Sequence, residues 1–176
     1  MKILHIQLDY AQGGIESFIY NVYSRINKND YQFDFIEYGL NRREYDEKYE
    51  KFGGKIYNIH DRKNHPIKSK KELKRLIKNN KYDIIHIHKN SLCDMSAINT
   101  SLSLKVPIIV HSHNSNRDNK LVVLMHIINK IIYKNKMNRI KKIACSDKAG
   151  KWLFDNDFTI INNGIDLKKF TYNEIK

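Results

Sequence analysis

Apolar residues along this chain fall into short continuous runs that alternate with stripes of helical period. Ile3, Leu4, Ile6 and Leu8 nearly fill residues 2–8, as in a strand buried on both faces, and the run breaks at Asp9, Ala11, Gln12, Gly13 and Gly14. Ile15, Phe18, Ile19, Val22 and Ile26 then recur on one face of a helix. The pattern goes on to predict a strand over 32–38, a charged helix over 41–52 stopped by Gly53 and Gly54, and a strand over 55–59. Pro66 opens a basic helix to Asn80, with Ile67, Leu73, Leu76 and Ile77 inward and its lysines outward. Strands over 82–88, 106–111, 141–146 and 158–162 alternate with helices over 91–104, 119–136 and 147–154.

Such alternation predicts an α/β fold, a Rossmann-like parallel β-sheet of about six to seven strands with helices on both faces. Right-handed crossovers place every loop that follows a strand on one rim. Residues 9–14, 88–91 and 113–117 belong to such loops, so residues distant in sequence should converge there. The 176 residues suit one core, and no Pro/Gly-rich linker divides them.

Composition changes this picture little. A net charge of +13 biases the surface toward anionic partners. Lys, Asn, Ile and Tyr are over-used together, as an AT-rich genome would produce, and no aromatic stacking motif or helix-turn-helix accompanies the charge, so nucleic acid is not the expected partner. Cys93 and Cys145 stand far apart in a Cys-poor chain, which suits a reducing compartment. His5, Gln7 and Asp9 interrupt the only apolar N-terminal run, and no run approaches a membrane span. The expectation is a cytoplasmic protein, soluble or peripheral at the inner face of the membrane.

The chemistry concentrates on the rim. At Gly13 and Gly14 no Cβ shields the N-terminus of the following helix, so a phosphate could approach its backbone N–H groups; equally, the two glycines could serve only to turn the chain. His86-x-His88 and His111-x-His113 each put two imidazoles on one side of a strand. Neither pair has the carboxylates or thiolate that would complete a metal site, so no metal is expected; the histidine at the rim suits a phosphate or a sugar hydroxyl. For residues 119–136, with Leu121, Leu124, Ile128, Ile131 and Ile132 along one edge, two readings stand: a helix packed on the sheet, or one whose apolar edge and lysines meet an anionic bilayer.

Five segments then align with one family. Gly13-Gly14-Ile15-Glu16, the run 83–88, Val110-His111-Ser112-His113-Asn114, Ala144-Cys145-Ser146, and the segment 161–166 with its Asn-Gly-Ile-Asp resemble, in order and spacing, the N-terminal domain of retaining glycosyltransferases of family four. These have the GT-B architecture of two Rossmann-like domains, and the likeness is greatest to enzymes of capsular or extracellular polysaccharide. The resemblance implies an acceptor-side domain over 1–170, with 171–176 opening the link to a C-terminal domain that binds the nucleotide-sugar donor. It implies that His113, six residues after Pro107, sits beside the reacting sugar, and that Gly13, Gly14, Ile15, Glu16, His88, Asn90, Asn114 and Arg117 line the substrates. The nucleotide sugar enters as substrate, with no cofactor, and the acceptor is a saccharide or a lipid-linked saccharide. The family's paired glutamates, with seven residues between them, belong to its second domain and have no counterpart here, so this chain alone is expected to be inactive. The rival is a free-standing nucleotide or dinucleotide binder, with Glu37 on the ribose; the third glycine of that fingerprint is missing.

Overall fold

Seven short runs pair in register, and the central ones are apolar enough to be covered on both sides, while residues 159–160 at one edge stay exposed. The computed structural model describes residues 1–6, 13–39 and 44–164. In order it contains β1 (Lys2–Ile6), α1 (Gly14–Arg25), β2 (Gln32–Tyr38), α2 (Glu44–Glu50), β3 (Lys55–Ile59), α3 (Pro66–Asn80) and β4 (Ile84–Lys89). There follow α4 (Ser96–Ser103), β5 (Ile108–Ser112), α5 (Lys120–Ile132), α6 (Lys134–Met137), β6 (Lys141–Ala144), α7 (Asp147–Phe154) and β7 (Thr159–Ile160). All strands are parallel in the order β3-β2-β1-β4-β5-β6-β7. This doubly wound sheet reverses direction between β1 and β4, the place where such sheets open a crevice for ligands.

Strand alternation sorts the core into two clusters. One face carries Leu4, Ile6, Ile36, Ile85, Ile87 and Val110, covered by Leu73 and Ile77 of α3, Ile98 of α4 and Leu153 of α7. The other carries Phe33 and Phe35, covered by Ile15, Ile19 and Tyr23 of α1 and Tyr49 of α2. Gly53, at φ +87°, ends the α2 segment in the left-handed region that favours glycine.

Several expectations change. Ile67 is 72% exposed, not inward, because it precedes Leu73 by six residues and so lies off the Leu73/Ile77 stripe. The helix expected from residue 91 begins at Ser96. Residues 91–95 have their backbone groups committed to side chains: Leu92 N–H donates to His126 Nδ1, Asn129 Nδ2 to the carbonyls of Leu92 and Cys93, and Lys89 Nζ to that of Asp94.

For α5 the structure separates the two readings. Its apolar edge does not pack on the sheet: Leu121 is 67% exposed and Ile131 72%, and Leu124, Met125, Ile128 and Ile132 are exposed with them. What it turns inward is polar. His126 is buried against Trp152, their rings stacked at 4.1 Å, and Asn129 and Lys130 donate to backbone carbonyls. Among the described residues no helix is long and apolar enough to cross a membrane. The expected strand residues 7–8, the turn 9–12, the helix start at 41–43, and Ile165, Asp166 and the link 171–176 lie outside the described residues.

Candidate active site

Five imidazoles meet on the α1 side of the sheet. The pairing sets His5 opposite His86 and His88 opposite His111, and alternation keeps all of these on one face. His113 follows β5 and extends the row, its backbone N–H donating to Lys89 O at 3.0 Å. The rings pack closely, His86 stacked on His88 at 4.3 Å and His111 tilted against His113 at 4.0 Å. Phe18 of α1 closes the row edge-on, 5.0 Å from His111 and 5.7 Å from His113.

Hydrogen bonds run through the row. His5 Nδ1 lies 3.1 Å from His88 Nε2, and His88 Nδ1 lies 2.8 Å from His113 Nε2. Burial, reinforced by neighbouring imidazoles, pushes His5 and His113 down to about 3; burial pushes His111 down to about 4. His86 and His88 are likewise held well below the ordinary 6.5, so all five rings are neutral at pH 7. His88, His111 and His113 each offer a ring nitrogen within 4.8 Å of the others, as do His5, His86 and His88. The two trios share His88, whose two nitrogens already face His5 and His113. No carboxylate or thiolate joins either trio among the described residues.

The sequence-predicted residues separate into three groups. His113 is partly exposed at the rim, with exposed Asn114 beside it. Asn114 Oδ1 accepts from the Ser115 and Asn116 N–H groups and so shapes the loop that carries Arg117. Asn114 and Arg117 line a pocket of about 420 Å³ together with Ser91, Cys93 and Asp118. The second group forms the glycine turn. Gly14 is the first residue of α1, and a Cβ built on it would meet nothing within 4 Å among the described residues. Here Glu16 departs from its predicted role: it is buried, and its carboxylate accepts from Gly13 N–H at 2.9 Å. It caps the helix, while Ile15 packs into the core beneath.

His88 is the third case and a correction. It was placed on the rim because the strand was read as ending there, but β4 runs on to Lys89, leaving His88 0% exposed between His5 and His113. It reaches a ligand only through His113. Asn90, half-buried just past β4, accepts at its carbonyl from Trp152 Nε1. Glu37 is buried in β2, one residue short of its end. His5 was missed altogether; only strand pairing, which period alone does not reveal, sets it against His86.

Comparison with known proteins agrees with this architecture. The profile described as Glycosyltransferase Family 4 matches residues 12–169. The protein named "Putative glycosyltransferase EpsF" of Bacillus subtilis (strain 168) is 27% identical over 187 residues, covering 98% of this chain and 47% of that protein. A crystal structure of Anabaena Alr3699/HepE in complex with UDP and glucose superposes with a TM-score of 0.68 at 14% identity, over 99% of this chain and 47% of that one. A UDP-GlcNAc 2-epimerase from Methanocaldococcus jannaschii superposes with a TM-score of 0.58 at 14% identity, over 88% of this chain and 42% of that one. The chain thus spans about half the length of its relatives. That the same fold serves an epimerase means that the fold does not choose the reaction.

Proposed function

The chain belongs to glycosyltransferase family 4, and from that premise we propose that it forms the acceptor-side half of a two-domain enzyme that moves a sugar from a nucleotide sugar to a saccharide or lipid-linked acceptor in cell-surface polysaccharide synthesis. The observation that carries this reading is the placement, on the one rim where the strands end, of Gly14 at the start of α1, the neutral imidazole of His113 and the pocket of Asn114 and Arg117. The UDP bound by the Anabaena neighbour supports a uridine nucleotide as donor.

Each part has a task. The turn at Gly14 admits a diphosphate to the start of α1, although Glu16 already holds the Gly13 N–H and leaves fewer donors for it. His113, neutral and fixed by His88, holds an oxygen of the reacting sugar as charge moves to the leaving diphosphate. The pocket beside Asn114 receives the acceptor. Groups that neutralise the leaving diphosphate belong to the second half, so the purified chain should release no UDP from UDP-sugars, and joining it to a second family-four domain should restore release. Turnover by the chain alone would overturn the half-enzyme reading.

The outward face of α5 supports a membrane partner for the same enzyme. Seven large apolar side chains lie exposed along it, from Leu121 to Ile132, and exposed Lys120, Lys134, Lys136 and Arg139 flank them. An apolar strip beside cations is what an anionic bilayer surface binds. A peripheral position at the inner membrane face would bring the rim to a lipid-linked acceptor.

A further inference from the structure

His126 illustrates a settled tautomer. Its Nδ1 accepts from Leu92 N–H at 2.9 Å and its Nε2 lies 3.0 Å from the Trp152 carbonyl, so the proton sits on Nε2. The rings of His5, His88 and His113 bond one another instead. A neutral imidazole has one N–H and one lone pair, so the two bonds of this chain can be made in only two ways. Either Nδ1 carries the proton in all three rings, or Nε2 does.

The two arrangements leave different atoms unpaired. With the protons on Nδ1, the row ends in a lone pair at His5 Nε2 and an N–H at His113 Nδ1. With the protons on Nε2, the N–H is at His5 and the lone pair at His113. Both end atoms are buried and have no hydrogen-bond partner among the described residues. Their surroundings differ. The His5 ring is flanked by Phe33 at 4.3 Å and Phe35 at 5.5 Å, which offer no acceptor, and by the His86 ring at 4.9 Å, which makes no hydrogen bond with it, and a buried orphan N–H costs more than a buried orphan lone pair. His113, by contrast, is a partly exposed residue at the rim with exposed Asn114 beside it, so of the two ends its own lies nearer to a ligand or solvent.

We propose that His5 and His88 are positioning residues that lock His113 in the Nδ1–H form, so that the rim presents a hydrogen-bond donor, not a base, to an oxygen of the bound sugar or phosphate. The locked tautomer stands on the bonds of the row and on the different surroundings of its two ends. The ligand it serves rests on the glycosyltransferase reading. A donor at this position stabilises negative charge growing on an oxygen and takes no proton from the acceptor hydroxyl, so deprotonation of the acceptor falls to another group.

Long-range 1H–15N correlation spectra of the labelled chain at pH 7.5 read the tautomers directly, with His126 as the internal Nε2–H reference. The expected spectrum has the proton on Nδ1 in His5, His88 and His113. A proton on Nε2 of His113 would overturn the proposal without any mutation. In His5→Phe, His113 should relax toward the Nε2–H form that free histidine favours, whereas His5→Asn, whose amide N–H stands where Nδ1–H was, should keep the lock. A folded His5→Phe in which His113 is unchanged would also overturn it; if that variant does not fold, the unmutated spectrum decides. In a two-domain enzyme carrying this chain, His5→Phe should lower kcat at least about tenfold with KM little changed, and His5→Asn should recover most of the loss. A locked His113 with an unaltered kcat would sink the positioning role and the sugar site at the rim together while leaving the tautomer intact.

Discussion

Ile87 and His88 are neighbours in one strand and belong to different proteins in all but name. Ile87 points into the cluster of Leu4, Ile6, Ile85 and Val110, an apolar layer closed by helices. His88 points the other way, into a row of imidazoles that stack and bond with one another. A strand buried on both faces is ordinarily apolar on both. Here one face stabilises the fold, and the other gives up apolar contact in order to hold neutral, mutually oriented nitrogens at the point where the sheet reverses. Stability and chemistry are thus divided across the thickness of a single sheet.

The division can be broken first from its apolar side. Ile87→Ala should cost about 2–5 kcal/mol of unfolding free energy, read by urea denaturation, because Ile87 is fully buried and its neighbours are fixed by the sheet. The imidazole side should answer in rate. His113→Ala in a two-domain enzyme should lower kcat about 10²-fold, near 2.7 kcal/mol of activation free energy, with a melting temperature close to that of the parent. A large stability loss in His113→Ala with kcat intact would put His113 in the core and dissolve the distinction.

Acid should act on the same face. The depressed imidazoles bind protons in the unfolded chain near 6.5 but in the folded chain only near 3 for His5 and His113 and near 4 for His111. Their contribution to stability is therefore complete above about pH 6.5 and is lost as pH falls to about 4 for His111 and about 3 for His5 and His113, with a slope of about 1.4 kcal/mol per pH unit for each such proton. Neither ring nitrogen of His111 has a partner among the described residues, so His111→Leu should leave the melting temperature at pH 7 equal or higher and make the acid slope shallower. Denaturant midpoints between pH 4 and 7.5 check both expectations, and an unchanged slope would mean that His111 is protonated in the fold.

How much of this was legible in the sequence follows the same division. β2, β3 and α3 stand where period and turn residues put them, because their boundaries are set locally by Gly53, Gly54 and Pro66. The rim loops also follow from alternation, and with them His113 and Asn114. Contacts between strands were not legible: nothing in residues 2–6 says that His5 faces His86, and the extra residue of β4 that buries His88 depends on pairing with β5. Glu16 read as a ligand contact because its use as a cap appears only when its carboxylate is seen on Gly13 N–H.

The helix α5 is where period shows the stripe and leaves its direction open, and it supplies the smallest expected effect on stability. Its stripe exists, but the sheet side is satisfied by His126, Asn129 and Lys130 bonding to the 91–95 turn and to α7, which leaves the apolar stripe outward. Replacing Leu124 and Ile131 together by Ser should change unfolding free energy by no more than about 0.5 kcal/mol, since neither side chain is in the core. The same change should cut co-sedimentation with phosphatidylglycerol vesicles at least about tenfold, as each buried side chain is worth about 1.5–3 kcal/mol at an apolar boundary. Lys120→Glu with Lys134→Glu should weaken binding to these vesicles and abolish its salt dependence; Lys130 is unsuitable for such a test because it bonds the Lys151 and Trp152 carbonyls. Equal binding to phosphatidylcholine, or an apolar stripe that instead drives self-association in size-exclusion chromatography, would remove the bilayer as the partner of this face.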